Sequence, residues 1–191
     1  SVECANPRAL LVDRFEVTRE AWRNAMLATG RSDAPREFTE GWAAGTEDWP
    51  ATGMDLAEAR DFAQLRGMRL PTVHEWMRIA CGTRGQRWPW GASAQTSAAN
   101  TADLGLFRPV PVGTFQNGRT SSSEHSGGAH DMLGNVWEWV HDGYADYPEG
   151  PVTDPSGDNA ASRRVHRGGG WAYRPRYARV SYRSRLDPGY R

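Results

Sequence analysis

Gly134-Asn135-Val136-Trp137-Glu138-Trp139 sets two tryptophans, a carboxylate and a Gly-Asn turn within six residues. Read as a strand, it alternates: Val136, Glu138 and Val140 share one face, and Trp137, Trp139 and His141 share the other. Glu138 then points into an apolar layer. A charge buried there is expensive unless a cation or strong donors meet it. The stretch therefore asks for a partner, either an arginine such as Arg164 or Arg167 or a metal ion.

Upstream of this stretch the pattern is helical. Thr18 offers a capping oxygen to a helix whose apolar residues Ala21, Trp22, Ala25 and Met26 recur at helical spacing up to Gly30. Asp55-Leu56-Ala57-Glu58 and Thr72-Val73-His74-Glu75 both have capping-box spacing. They predict a helix ending near Gly67 and another running through Trp76, Ile79 and Ala80 to Gly82. Short strands are expected at residues 9–17 and from Val110 to Phe115. Between residues 31 and 50 an ordered loop pinned by Phe38, Trp42 and Trp49 is expected, and the polar segment 117–128 reads as a surface loop. Helices first and strands afterwards predict an α+β domain, not a wound parallel sheet.

Composition narrows the class. The 191 residues suit one domain, which buries roughly 70% of its unfolded surface. The 23 basic and 23 acidic residues cancel, so no overall field recruits nucleic acid or an anionic membrane. All the basic residues are arginine. Nine tryptophans with 21 glycines and 12 prolines describe an ordered, turn-rich chain. No apolar run approaches the length of a membrane span, and Ser1-Val2-Glu3-Cys4 lacks the pattern of a signal peptide. Cys4 and Cys81 allow at most one disulfide.

Six motifs occur in a fixed order: Phe15-Glu16-Val17-Thr18, Arg69-Leu70-Pro71-Thr72 with Glu75-Trp76, Trp90-Gly91, Pro111-Val112-Gly113, Asp131-Met132 with residues 134–139, and Arg167-Gly168-Gly169. Together they resemble the formylglycine-generating enzyme, or sulfatase-modifying factor, family along nearly the whole chain. The resemblance implies a C-type-lectin-like α+β fold with few short helices, a small twisted antiparallel sheet and much loop. It also implies a closing Gly-Phe-Arg strand beyond Pro188-Gly189-Tyr190-Arg191.

Family enzymes oxidise a sulfatase cysteine with copper held by two cysteines after the Arg-Gly-Gly motif. Tyr173 and Ala178 stand at those positions here, and neither supplies the soft thiolate that copper(I) prefers, so no copper is expected. The resemblance further implies structural calcium at Asp131, Gly134, Val136 and Glu138, with a second site conceivable at Asn100 and Asp103. Hard oxygen donors suit that ion. The competing reading is that Glu138 pairs with an arginine.

For the rest of the site, two classes of function compete. An enzyme with an altered centre could draw on His125, His130 and His141 with Glu124 or Asp131, although capping or solvent-facing histidines explain the same residues. A binding module could use the C-terminal run, where Tyr173, Arg174, Arg176, Tyr177, Ser181, Tyr182, Ser184, Arg185, Asp187 and Tyr190 alternate with scaffold residues. Tyrosine and arginine dominate binding hot spots. With His166, Gly170 and Leu186, this set is expected to form an exposed face for a protein or other macromolecule. Its alternation with Arg167, Gly168, Gly169, Trp171, Arg179 and Arg183 resembles retroelement-diversified variable proteins of the same fold.

Overall fold

A computed structural model describes residues 10–30, 42–82, 85–91, 93, 95–120, 128–146 and 161–191. Helix α1, Arg19–Ala28, starts where the Thr18 hydroxyl accepts the Ala21 N–H. Its Trp22 stacks on Phe62 of α2, Leu56–Leu65, with centroids 5.1 Å apart. These two side chains, Met26 and Ala51 form a small satellite core. Helices α2 and α3, Val73–Cys81, both begin with complete capping boxes, from Asp55 with Glu58 and from Thr72 with Glu75. Each box satisfies two backbone N–H groups that the helix cannot bond internally.

Helix α3 buries Val73, Trp76, Ile79 and Ala80 against the main core, which also holds Met132, Leu133, Val140, Val165, Ala178 and Val180. Full burial of the valine, leucine, isoleucine and methionine side chains among these is worth about 1.5–3 kcal/mol each. Three antiparallel strands lie beside this core in the order β1, Glu138–Gly143; β2, Arg164–Arg167; β3, Ser184–Leu186. Glu138 pairs with Arg167 and Trp139 with His166, but Gly143 pairs with Arg164, so an irregularity interrupts β1. The chain then returns to α2: the Leu56 N–H donates to the Pro188 carbonyl, and Arg191 pairs with Asp55 and Glu58.

Two expected strands are absent. Residues 110–115 form turns, because Pro109 and Pro111 remove ladder donors and the remaining groups bond elsewhere. The Val110 N–H meets the Asn135 Oδ1, the Val112 N–H the Asp48 carbonyl and the Gly113 N–H an Asp131 carboxylate oxygen. Residues 10–17 run without a strand partner; only the next residue, Thr18, makes a bridge, to Pro50. Strand β1 also starts at Glu138, later than the alternation from Val136 implies. The predicted residues 9, 31–41 and 121–127 lie outside those described, as does Cys4. Cys81 carries a free thiol whose S–H donates to the Met77 carbonyl.

Candidate functional site

Asn135 is the joint of the first neighbourhood. It sits in the left-handed region at φ 54° and is buried. Its Oδ1 accepts from the Val110 N–H at 3.0 Å and from the Asn100 amide at 3.2 Å. Its Nδ2 donates to Glu16 at 2.7 Å and to the Val110 carbonyl at 3.2 Å. One side chain thus fastens three remote segments to the turn before β1.

Glu16 accepts from the Val136 N–H as well, and lies close enough to Asp131 and Glu138 for all three carboxylates to interact. Burial first, then those two charges, holds Glu16 well above the ordinary carboxylate range. Burial likewise pushes Glu138 up to about 8, although the Trp76 indole N–H, donating at 2.9 Å, and Arg167 favour its charged form. Burial raises Asp131 too, against a hydrogen bond from the Gly113 N–H. Burial raises all three, which favours their protonated forms or a neighbouring positive charge.

Three oxygens converge beside Gly168. At φ 86° it carries no Cβ, and one built there would stand 3.2 Å from the Met132 carbonyl, 3.5 Å from the Glu138 Oε1 and 3.7 Å from the Val136 carbonyl. Three oxygens surround this small gap, a donor set that fits a hard ion. Val136 and Glu138 of the expected ligands contribute to it. Asp131 has one oxygen engaged by Gly113, the Gly134 N–H donates to the Gly168 carbonyl, and Met132 was not anticipated. Of the conceivable second pair, Asn100 donates to Asn135 and the Arg108 carbonyl. Glu16 and Glu138 also border a cavity of about 470 Å³ with His130, Trp76, Trp137 and Trp139, so both keep some exposure despite their depth.

Arg167 is fully buried; it donates to the Val180 and Tyr182 carbonyls at 2.5 and 2.7 Å and lies over the Trp76 ring. Its pull on the Glu138 charge is weaker than that of the Trp76 hydrogen bond. Arg164 stands opposite Gly143, at the other end of β1.

The second neighbourhood is aromatic. Trp137 meets the His166 ring at 4.4 Å and Tyr173 edge-on at 5.2 Å; Tyr173 meets Tyr177 at 81° and Tyr177 meets Tyr182 at 80°. Tyr173, Arg174, Arg176, Ser181, Arg185, Asp187 and Tyr190 are exposed, whereas Tyr177, Tyr182 and Ser184 are half-buried. Arg176 lies over the Tyr177 ring and donates to its hydroxyl at 2.8 Å. Arg183 and Arg185 flank Tyr144. His166 and Gly170 depart from the expected exposed set, for both are buried beneath it. Burial alone lowers the His166 imidazole to about 4, and its Nε2 and the Trp137 Nε1 have no hydrogen-bond partner among the described residues.

The two positions where the family resemblance places copper thiolates have opposite fates. Tyr173 is 45% exposed, while Ala178 is 1% exposed. A Cβ on Gly169 would come within 2.9 Å of the Ala178 Cα and Cβ, so the chain segments pass back to back at that point. Neither residue borders the described cavity; Tyr173 is exposed and Tyr177 and Tyr182 are half-buried beside it.

Among the described residues, His130 and His141 are not grouped with a carboxylate as metal ligands. His130 is buried against Phe15, its ring 4.9 Å away, and His141 is in β1; His125 and Glu124 lie outside the described residues. Among the described residues no three His, Cys, Asp or Glu side chains are grouped as metal ligands. No helix among them is long and apolar enough to cross a membrane. Glu16 went unnoticed as a site residue. Its signal was that of Glu138, a carboxylate between apolar neighbours, here Phe15 and Val17.

Residues 3–191 match the family described as Sulfatase-modifying factor enzyme 1-like domain. The chain is 33% identical to hercynine oxygenase of Mycolicibacterium smegmatis, over 91% of this chain and 48% of that protein. It is 31% identical to formylglycine-generating enzyme of Streptomyces coelicolor, over 75% of this chain and 50% of that protein. It thus spans about half the length of these relatives. Among solved structures it resembles Treponema denticola variable protein 1, with a TM-score of 0.65, 21% identity and coverage of 91% of this chain and 77% of that one.

Proposed function

For a chain that belongs to the sulfatase-modifying factor family and has the family's C-type-lectin-like fold, we propose a binding module. It engages a protein ligand through Tyr173, Arg174, Arg176, Tyr177, Ser181, Tyr182, Ser184, Arg185, Asp187 and Tyr190. The observation that carries this reading is the fate of the thiolate positions. One holds an exposed tyrosine that opens a continuous edge-to-face array, and the other holds a buried alanine with no room for a ligand. Rigid tyrosines supply contact area at low entropic cost.

The test is selection from a random displayed-peptide library on the wild-type domain and on the variant Tyr173→Ala/Tyr177→Ala/Tyr182→Ala. Peptides that bind the wild type and fail on a variant with an unchanged fold support the reading. Equal enrichment on both overturns it.

Calcium belongs to the same proposal as a structural ion near Glu138, with Asp131, Gly134 and Val136 as the implied companions and the Met132 carbonyl as an added donor. The oxygen-lined gap at Gly168 supports it. The ion would supply the positive charge that the carboxylates lack and return Glu138 to its ionised form. Chelation should then lower the melting temperature by mass action, and Glu138→Gln should blunt that response. An identical melting curve with calcium and with chelator, starting from metal-free protein, removes calcium from the account.

A second reading has its own support in the 33% identity to an oxygenase over 91% of the chain. In that reading the module is an enzyme with an altered, non-cysteine metal centre. A transition metal retained near one equivalent after purification would favour it. Formylglycine production from a sulfatase peptide with added copper would do the same.

A further inference from the structure

Resting on the binding reading, we infer that the partner presents an acidic peptide segment to the patch formed by Tyr173, Arg174, Arg176, Tyr177 and Tyr182. Although the chain is formally neutral, its charge is unevenly placed. Residues 171–191 hold six of the 23 basic groups and one of the 23 acidic ones, which leaves +5 on this run and −5 on the remainder.

Several of these charges are already committed. Arg191 pairs with Asp55 and Glu58, and the Arg183 Nη1 donates to the Ala145 carbonyl. Arg174 and Arg176 are different: both are exposed, and among the described residues neither meets a carboxylate within ion-pair distance. Arg176 is nonetheless held in place by the ring and hydroxyl of Tyr177. A guanidinium fixed in this way loses little freedom when a carboxylate arrives, and its planar fork can donate to that group bidentately.

The aromatic geometry separates an acidic peptide from the other common polyanion. Single-stranded nucleic acid binds by laying bases flat on exposed ring faces. Here Tyr173 meets Trp137 and Tyr177 at 82° and 81°, and Tyr177 meets Tyr182 at 80°, so these rings stand crosswise to one another and form no run of parallel faces for successive bases, while Arg176 covers one face of Tyr177. Ring edges and phenol groups remain, and these suit side chains and backbone carbonyls of a peptide.

Fluorescence polarisation decides the matter. The probe is a labelled peptide of about twelve residues rich in Glu and Asp, compared with a Lys-rich peptide of the same length and a single-stranded DNA oligomer. The acidic peptide should bind best and weaken about tenfold between low salt and several times that ionic strength. Arg174→Glu/Arg176→Glu should weaken it by at least about tenfold at an unchanged melting temperature, by turning attraction into repulsion. Arg174→Lys/Arg176→Lys should keep the salt dependence and lose only a few-fold through the forfeited fork. Tighter DNA binding, equal binding of the Lys-rich peptide, or indifference to charge reversal overturns the acidic-partner inference. Neutral library peptides that still depend on the three tyrosines would reject that inference and leave the binding module standing.

Discussion

Two neighbourhoods meet at Trp137 and are built in opposite ways. Before β1, Asn135 makes four hydrogen bonds to three segments, and Trp76 and Val136 each satisfy a buried carboxylate. At the patch of residues 173–177 and Tyr182, side chains hold one another: Tyr173 meets Tyr177, Tyr177 meets Tyr182 and Arg176 meets Tyr177. Damage to the first should spread to distant parts of the chain, whereas damage to the second should stay local. A family that keeps its scaffold in one region can vary its surface in the other, which is how one fold hosts several functions.

The largest expected effect is in the scaffold. Asn135→Ala leaves Glu16, Asn100 and both polar groups of Val110 short of partners and places alanine in a left-handed conformation. We expect a loss of about 3–5 kcal/mol, read from denaturant unfolding. A loss below about 1 kcal/mol would show that Asn135 is not the joint described.

Next comes acid. The His166 pKa is lowered to about 4 in the folded state, against about 6.5 when unfolded. The unfolded chain therefore takes up its proton first, and stability falls as the pH drops from about 6.5 towards 4, by on the order of 2–3 kcal/mol. His166→Phe should flatten that part of the curve at modest cost, because the Nε2 has no bond to lose. An unchanged pH profile in this variant would contradict the buried, neutral imidazole.

Glu75 acts in a lower window. Its hydrogen bonds from Arg69 hold it at about 2, against an ordinary value of 4.5, with the Thr72 N–H helping. Its contribution is complete above about 4.5 and disappears as the pH falls through 2. Arg69 is exposed, so solvent screening leaves less than about 1 kcal/mol. Glu75→Gln should retain part of the cap and remove this small dependence from acid unfolding curves.

The smallest stability effect belongs to the face itself. Arg174→Ala should change the unfolding free energy by less than about 0.5 kcal/mol, as for an exposed side chain outside any buried network. A loss above about 1 kcal/mol would tie the face to the scaffold and weaken the contrast.

The same contrast explains what was legible in the sequence. The helices were readable because their signals are local: Asp55 with Glu58 and Thr72 with Glu75 write each start within four residues. Glu138 announced its need for a partner, yet the indole that meets it is 62 positions away on α3 and left no local mark. Residues 110–115 resembled a strand because their backbone partners, the side chains of Asn135 and Asp131, cannot be read from the segment itself. At the C-terminal run the alternation of tyrosine and arginine was visible. It could not reveal that His166 lies beneath the array, or that Ala178 is closed off by Gly169.

Hydrogen–deuterium exchange, with and without a peptide selected from the library, tests the central claim most directly. If the C-terminal face is the binding site, exchange should slow across residues 171–190 and stay unchanged at residues 10–17 and 128–136. Protection concentrated instead at residues 10–17 and 128–136, beside the acidic cavity, would contradict the account and move the functional site to the other side of Trp137.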